Sequence, residues 1–244
     1  QIIKICDRNF IGCDQLIFIE SSKSSDANLK FFNSDGGESG ACGNGTRCIA
    51  KLISNETKNE TVILTTLNGD LKSQILENNI VTTEIGNAKI EWNEIPLSKK
   101  SDTKNLNIKI IDVNDKEYFG GTAVNVGNPH VVFFVNKIEN FNIEKIGPQV
   151  ENYNIFPEKC NVTIAKIVDK NLIKVKVWER GAGLTKACGT AACATAFAGK
   201  LNNLTENRTD IEFQTGKLSI FIDDKDSIHM KGPVSEIKKI EIKL

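Results

Sequence analysis

Short apolar or alternating runs, set between turn residues, dominate this chain. In the first half, LIFIE (16–20), NLKFFN (28–33), TVILTTL (61–67), LKSQILE (71–77) and NIVTTEI (79–85) read as strands, punctuated by Asn68-Gly69 and Asn78-Asn79. The second half repeats the habit in KEYFGGTAVNV, HVVFFV, NVTIAKIV, LIKVKVWE, IEFQ and KLSIFI. Two segments break the rhythm. GNGTRCIAKLIS from Gly43 and GTAACATAFAGKL from Gly189 read as helices, and their small residues suit close packing inside a sheet. The closing stretch EIKKIEIKL reads as a last strand that returns to the first half.

The two halves are copies of one pattern. NSDGGESGACGNGTRC carries Cys42, and WERGAGLTKACGTAAC carries Cys188, 146 residues later. Gln15 and Asn161 each lie 27 residues ahead of their cysteine, and Asn33 and Glu179 each lie 9 ahead. Gly69 and Gly216 mark strand-turn-strand patterns at an offset of 147. Two copies do not make a solenoid; they predict two homologous lobes with a ligand site between them. The expected division is an N-terminal lobe over 1–87, rejoined by 234–244, and a C-terminal lobe over 88–233, with the polar stretch 86–105 as the joint. The expected fold class is α/β (α+β), two pseudo-symmetric lobes.

Composition narrows the function classes. The 244 residues can build two lobes, each with its own core, and 40% hydrophobic with 25% charged is ordinary for a globular chain. A formal net charge of +0 points to neither nucleic acid nor an anionic membrane. No apolar run approaches the roughly 20 residues that span a bilayer. Seven cysteines, an odd count at irregular spacing, argue against a secreted disulfide framework and for reduced thiols in a cytoplasm. Cys48 and Cys193 read as core positions inside the helices, Cys6, Cys13 and Cys160 as structural, and no metal site is expected.

The chemistry rests on the paired cysteines. A cysteine at the start of a helix meets unpaired backbone N–H groups and the positive end of the helix dipole, which favours thiolate. The same N–H groups, near Gly43, Asn44, Gly189 and Thr190, can hold a carboxylate next to the reacting carbon. One thiol per copy can serve opposite faces of one stereocentre, the first removing a proton and the second returning one. No cofactor is needed for this. His130, behind Gly127-Asn128-Pro129, is expected at a tight turn near the site, and Glu179-Arg180 ends an apolar strand facing the repeat position of Asn33.

Asp14-Gln15, FNSDG (32–36), ACGNGTRC (41–48), GNPH (127–130), Phe156-Pro157-Glu158 with Asn161, and WERGAGLTKACGTAACA (178–194) together resemble the diaminopimelate epimerase family. The resemblance runs from about residue 5 to the C-terminus. It implies a pyridoxal-phosphate-independent, two-base epimerase interconverting LL- and meso-diaminopimelate in bacterial lysine and peptidoglycan precursor synthesis. It implies Cys42 and Cys188 as the acid/base pair, with Gly43, Asn44, Gly189 and Thr190 on the carboxylate at the reacting centre. Asn33, Asn128, Asn161 and Arg180 would hold the distal head, Gln15 and Glu179 the amino groups, and His130 would support them. The implied fold is two lobes, each a mostly antiparallel sheet around a central helix. The implied partner is a small amino acid, with neither nucleic acid nor membrane, and a homodimer stays open. Proline racemase and hydroxyproline epimerase are similar in fold, with histidine typical where Asn44 stands.

Two departures accompany the resemblance. The family's Gly-Asn-Asp-Phe motif is absent, and the repeat places its counterpart about 19 positions before residue 1. A first strand and one substrate-contacting asparagine are therefore expected to be missing. NFIGCDQ is also one glycine shorter than the family's turn. Two alternatives stay open: a racemase of a single-headed amino acid such as proline, and an inert fragment that binds an amino acid without exchanging its α-proton.

Overall fold

The computed structural model describes residues 1–40 and 42–241. The chain divides into two compact units, one of residues 1–84 with the chain from Gly232 onward, the other of residues 85–231.

The first unit runs α1 (Ile2–Cys6), β1 (Gln15–Glu20), β2 (Ala27–Asn33), β3 (Glu38–Ser39), α2 (Gly43–Thr57), β4 (Thr61–Thr66), β5 (Gly69–Ile75) and β6 (Ile80–Asn87). Its strands lie in the order β1-β2-β4-β5-β6, with β3 against β2, and only β2–β4 is parallel. Alternation does the work in β4, where Val62, Leu64 and Thr66 are buried and Thr61 and Ile63 are exposed. Those residues meet Leu29, Phe31, Ala50 and Ile53, so α2 lies on the apolar face of the sheet. Only part of α2 is buried, because Lys51, Asn55 and Glu56 occupy its outer side.

The second unit runs β7 (Ile108–Ile111), β8 (Glu117–Gly120), β9 (Thr122–Asn125), β10 (Pro129–Phe134), α3 (Ile143–Glu151), β11 (Asn161–Asp169), β12 (Leu172–Glu179), β13 (Gly183–Thr185), α4 (Gly189–Leu201), β14 (Arg208–Phe213), β15 (Gly216–Ile222) and β16 (Ser227–Pro233). Its main sheet is ordered β16-β15-β14-β12-β11-β10-β9, with β13 on β12 and β7–β8 a separate hairpin. Five strands of that sheet, β9, β10, β11, β14 and β15, pack on α4. Ten of the thirteen residues of α4 are buried, which small side chains permit on every face of a helix. The other side of the sheet carries α3 and the hairpin. Thus β10 is buried on both faces: Val132 points to the α4 core, Val131 and Phe133 to the α3 core.

The repeat is visible in the register. Leu16 pairs with Phe32, and Val162, 146 residues on, pairs with Trp178. Ala27 pairs with Leu64 in the parallel β2–β4 ladder, and Ile173 with Ile211 in β12–β14. Thr66 faces Gly69 across one hairpin and Phe213 faces Gly216 across the other.

Several expectations change. KEYFGGTAVNV is two strands, because Gly121 takes φ +105° and turns the chain. Residues 235–241 form no strand; β16 ends at Pro233, and residues 242–244 lie outside the described residues. The sequence reading missed α3 because Gly147-Pro148 signals a break. Asn142 caps that helix through Glu144 N–H and Lys145 N–H, and Ile143, Ile146 and Val150 bury its inner face. His130 is inside β10, opposite Asn161, and the turn belongs to Gly127-Asn128 before it.

Gly147 is where α3 meets the end of β12. A Cβ there would stand 2.3 Å from Trp178 Cγ. Trp178 in turn donates its indole N–H to Glu151 Oε2 at 2.7 Å, and Glu151 Oε1 accepts Gly181 N–H at 3.1 Å. Gly147→Ala should therefore destabilise the fold by about 1–3 kcal/mol through overpacking, read as a lower urea midpoint. An unchanged midpoint would show that Trp178 is free to move.

His130 is fully buried, and burial first, then the Arg180 charge, push its imidazole down from 6.5 to about 3. The folded chain thus keeps it neutral, while the unfolded chain takes up a proton below 6.5. Its contribution is complete above pH 6.5 and is lost as pH falls from there toward 3. Urea titrations of the wild type should lose up to about 1.4 kcal/mol more per pH unit across that window than those of His130→Gln. Parallel pH curves for the two proteins would contradict the buried neutral state.

Candidate functional site

The residues singled out by the sequence fall into two sets, one in each unit, on equivalent elements. In the first unit, Gln15 opens β1 and Asn33 closes β2, and the two are cross-strand partners. Gln15 Nε2 donates to Asn33 Oδ1 at 2.9 Å, which orients both amides. Asn33 also frames the turn into β3, its N–H donating to Gly37 O and its carbonyl accepting Gly36 N–H, each at 2.9 Å.

Cys42 is the N-cap of α2, in extended conformation, so its side chain stands at the open end of the helix. Its Sγ accepts Gly45 N–H at 3.3 Å. That donor stabilises negative charge on sulfur, as does the helix terminus. Gly45 packs tightly: a Cβ would lie 2.4 Å from Ile17 Cδ1, which would have to turn aside, and 3.2 Å from Cys42 Sγ. Gly43 is buried in the first turn, and Asn44 Oδ1 accepts Arg47 Nη2–H at 2.9 Å, so a buried guanidinium holds the Asn44 side chain.

In the second unit, Cys188 is the N-cap of α4, again extended. The closing hydrogen bonds of the first turns correspond: Thr46 N–H donates to Cys42 O at 2.8 Å, and Ala192 N–H to Cys188 O at 3.1 Å. The sulfurs differ. Cys188 is buried and meets Thr190 Oγ1 at 3.4 Å. Burial, followed by the negative charge of Glu179, pushes its thiol well above the usual range, against the weaker pull of the Thr190 hydroxyl and the Ala191 N–H. For Cys188, desolvation therefore outweighs the pull of the helix terminus toward thiolate. Gly189 is buried beneath it and Thr190 is half-buried.

Glu179 ends β12 and starts the turn into β13, where Ala182 N–H donates to Glu179 O at 3.0 Å. This bond is the counterpart of Gly36 N–H on Asn33 O. Asn161 is 97% buried and locks the turn: its Oδ1 accepts Arg180 N–H at 3.0 Å and its Nδ2 donates to Pro129 O at 2.9 Å. Arg180 is exposed, with Nη1 donating to Glu158 O at 2.8 Å. Asn128 Oδ1 meets His130 Nε2 at 2.8 Å. The structure therefore joins Asn128, His130, Asn161 and Arg180 into one network, and sets Glu179 beside Cys188.

The sequence reading missed Glu151. Its carboxylate, 6% exposed, holds Trp178 and Gly181 on either side of Glu179-Arg180 and so shapes the turn that presents them. A glutamate at the end of an unrecognised helix carries no signal in sequence. No helix among the described residues is long and apolar enough to cross a membrane.

Comparisons with known proteins agree with one another. The model of the family described as diaminopimelate epimerase matches residues 1–91 and 122–237. The chain is 65% identical over 244 residues to the diaminopimelate epimerase of Pelagibacter ubique (strain HTCC1062), covering 100% of this chain and 89% of that one. It is 38% identical over 240 residues to the diaminopimelate epimerase of Acidiphilium cryptum (strain JF-5), covering 98% and 85%. Among solved structures, a probable proline racemase from Agrobacterium radiobacter K84 superposes with a TM-score of 0.69 at 10% identity, covering 99% of this chain and 81% of that one. A hydroxyproline epimerase from Agrobacterium vitis does so with a TM-score of 0.68 at 11% identity, covering 95% and 76%. These two share the fold. Matched over most of its length by the family model and by relatives as close as 65% identical, the chain belongs to the diaminopimelate epimerase family.

Proposed function

We propose that this chain interconverts LL- and meso-diaminopimelate by moving a proton at the α-carbon between two thiols, without a cofactor. The observation that carries this reading is the pair of cysteine N-caps, Cys42 on α2 and Cys188 on α4, at equivalent positions of two units built to one register. The names of the relatives supply the substrate. A family of bacterial enzymes for lysine and peptidoglycan precursors fits a cytoplasmic chain with reduced cysteines.

The two sulfurs suit different roles in the resting protein. Cys42, half-buried and accepting Gly45 N–H, is the base that takes the α-proton. Cys188, kept protonated by burial and by Glu179, is the acid that delivers a proton to the opposite face. After one turnover the states are exchanged, and the reverse reaction restores them. As the proton leaves, negative charge spreads onto the α-carboxylate. Backbone N–H groups of Gly43, Asn44, Gly189 and Thr190 at the two helix starts are the donors assigned to it. Asn33, Asn128, Asn161 and Arg180 are assigned to the distal head, where a guanidinium and amides can recognise a second carboxylate. Gln15 and Glu179 take the amino groups, and His130 fixes Asn128.

The test is incubation with meso-diaminopimelate in D2O under reducing conditions, with α-deuterium read by mass spectrometry. Wild type should incorporate deuterium. Cys42→Ala and Cys188→Ala should each lose at least about 100-fold in exchange. Exchange that survives either change would sink the two-thiol reading. The asymmetry of the pair has its own test. Iodoacetamide at neutral pH should alkylate Cys42 before Cys188, because the reactive form is the thiolate and Cys188 is held as the thiol. Peptide mapping of a time course settles the order, and labelling of Cys188 first would reverse the assigned roles.

A further inference from the structure

Two of the remaining cysteines sit together. Cys6 closes α1 and Cys13 lies just before β1, and the six-residue excursion between them folds back at Gly12, with φ +76°. Cys13 N–H donates to Cys6 O at 3.4 Å and Gly12 N–H to Ile5 O at 3.2 Å, so the two backbones are paired where the side chains emerge. The sulfurs are 3.4 Å apart, with Cys13 Sγ donating to Cys6 Sγ. They line a pocket of about 310 Å³ together with Asp7, Arg8 and Asp14. Cys6 is 4% exposed, whereas Cys13 is half-buried and reachable from the pocket.

We propose that Cys6 and Cys13 form a redox-active dithiol site that closes to an intramolecular disulfide on meeting a small-molecule disulfide. Closure needs the sulfurs to approach by roughly 1.4 Å, from contact to the bonded length of about 2.05 Å, which side-chain rotation can supply without moving paired backbone. Access sets the order of events. The thiolate of Cys13 attacks the small disulfide, forming a mixed disulfide and releasing one thiolate. The thiolate of Cys6 then attacks Cys13 Sγ, forming the Cys6–Cys13 bond and releasing the second. The two protons given up by the protein thiols pass to the two released thiolates. The protein loses two electrons and the small disulfide gains them. Arg8, paired with Asp14 at the rim, is the cation that can receive a carboxylate of the incoming disulfide. Burial and the neighbouring Cys6 push the Cys13 thiol up to about 11, so the exchange quickens with rising pH.

The bond is read directly, so the test does not depend on the proposed activity. The full chain is treated with oxidised glutathione at about pH 9, where more Cys13 is thiolate, then alkylated and digested with trypsin without reduction. Cleavage after Lys4, Arg8 and Lys23 separates Cys6 (residues 5–8) from Cys13 (residues 9–23) unless sulfur joins them. The expected product is the joined pair, lighter by two hydrogens than the sum of its parts and split by dithiothreitol. In Cys6→Ser, Cys13 should instead keep one glutathione; in Cys13→Ser, Cys6 should stay a thiol. Separate wild-type fragments, whether alkylated or each carrying glutathione, would overturn the proposal, as would a bond from either cysteine to another in the chain.

Discussion

Each unit depends on a helix that starts at a cysteine cap while its body is packed on a sheet. A helix start leaves four N–H groups without intrahelical partners, and an ordinary Ser or Asp cap would consume one or two of them. Cysteine at the cap, with glycine after it, accepts weakly and leaves close approach open. The consequence reaches through the sheet. For α4 the enclosing strands demand Ala, Gly, Thr and Cys on nearly every face, and β10 becomes apolar on both sides because it lies between the α4 core and the α3 core.

Around these helices the two units are built alike and tuned apart. The same ladder places Gln15 against Asn33 in one and brackets Asn161 and Glu179 in the other. The turn after Asn33 and the turn after Glu179 close with the same hydrogen bond. Yet one turn carries a neutral amide and the other a carboxylate beside a buried sulfur. A pair of identical thiols would have no reason to differ in protonation. Greater burial and the neighbouring Glu179 push the Cys188 thiol up.

The turn bearing Glu179 and Arg180 owes its shape to the side chains packed around it. Trp178 fills the space that Gly147 leaves, Glu151 holds the indole and Gly181, and Asn161 holds the Arg180 amide. The Trp178 indole, the Glu151 carboxylate and the Asn161 amide each meet a hydrogen-bond partner, and together they hold the backbone that carries the exposed guanidinium.

Much of this was legible in the chain. Period-two alternation located most strands, the 146-residue repeat exposed the equivalence of Cys42 and Cys188, and small residues after each cysteine marked α2 and α4. These are local or periodic signals, and local backbone preference with burial on one face is enough to produce them. What lay outside sequence reach depended on partners distant along the chain. Helix α3 forms despite Gly147-Pro148 because Trp178 and the hairpin side of the core reward it. Glu151 acquires its place only when β12 passes α3. The state of Cys188 is set by desolvation, which opposes the helix terminus and can be judged only once the strands around α4 are in position. The sequence by itself determined which residues could carry the chemistry, since residue type and repeat position travel with the chain. Tertiary structure decided how each of them is charged and held, since solvent exclusion and nonlocal hydrogen bonds exist only after packing.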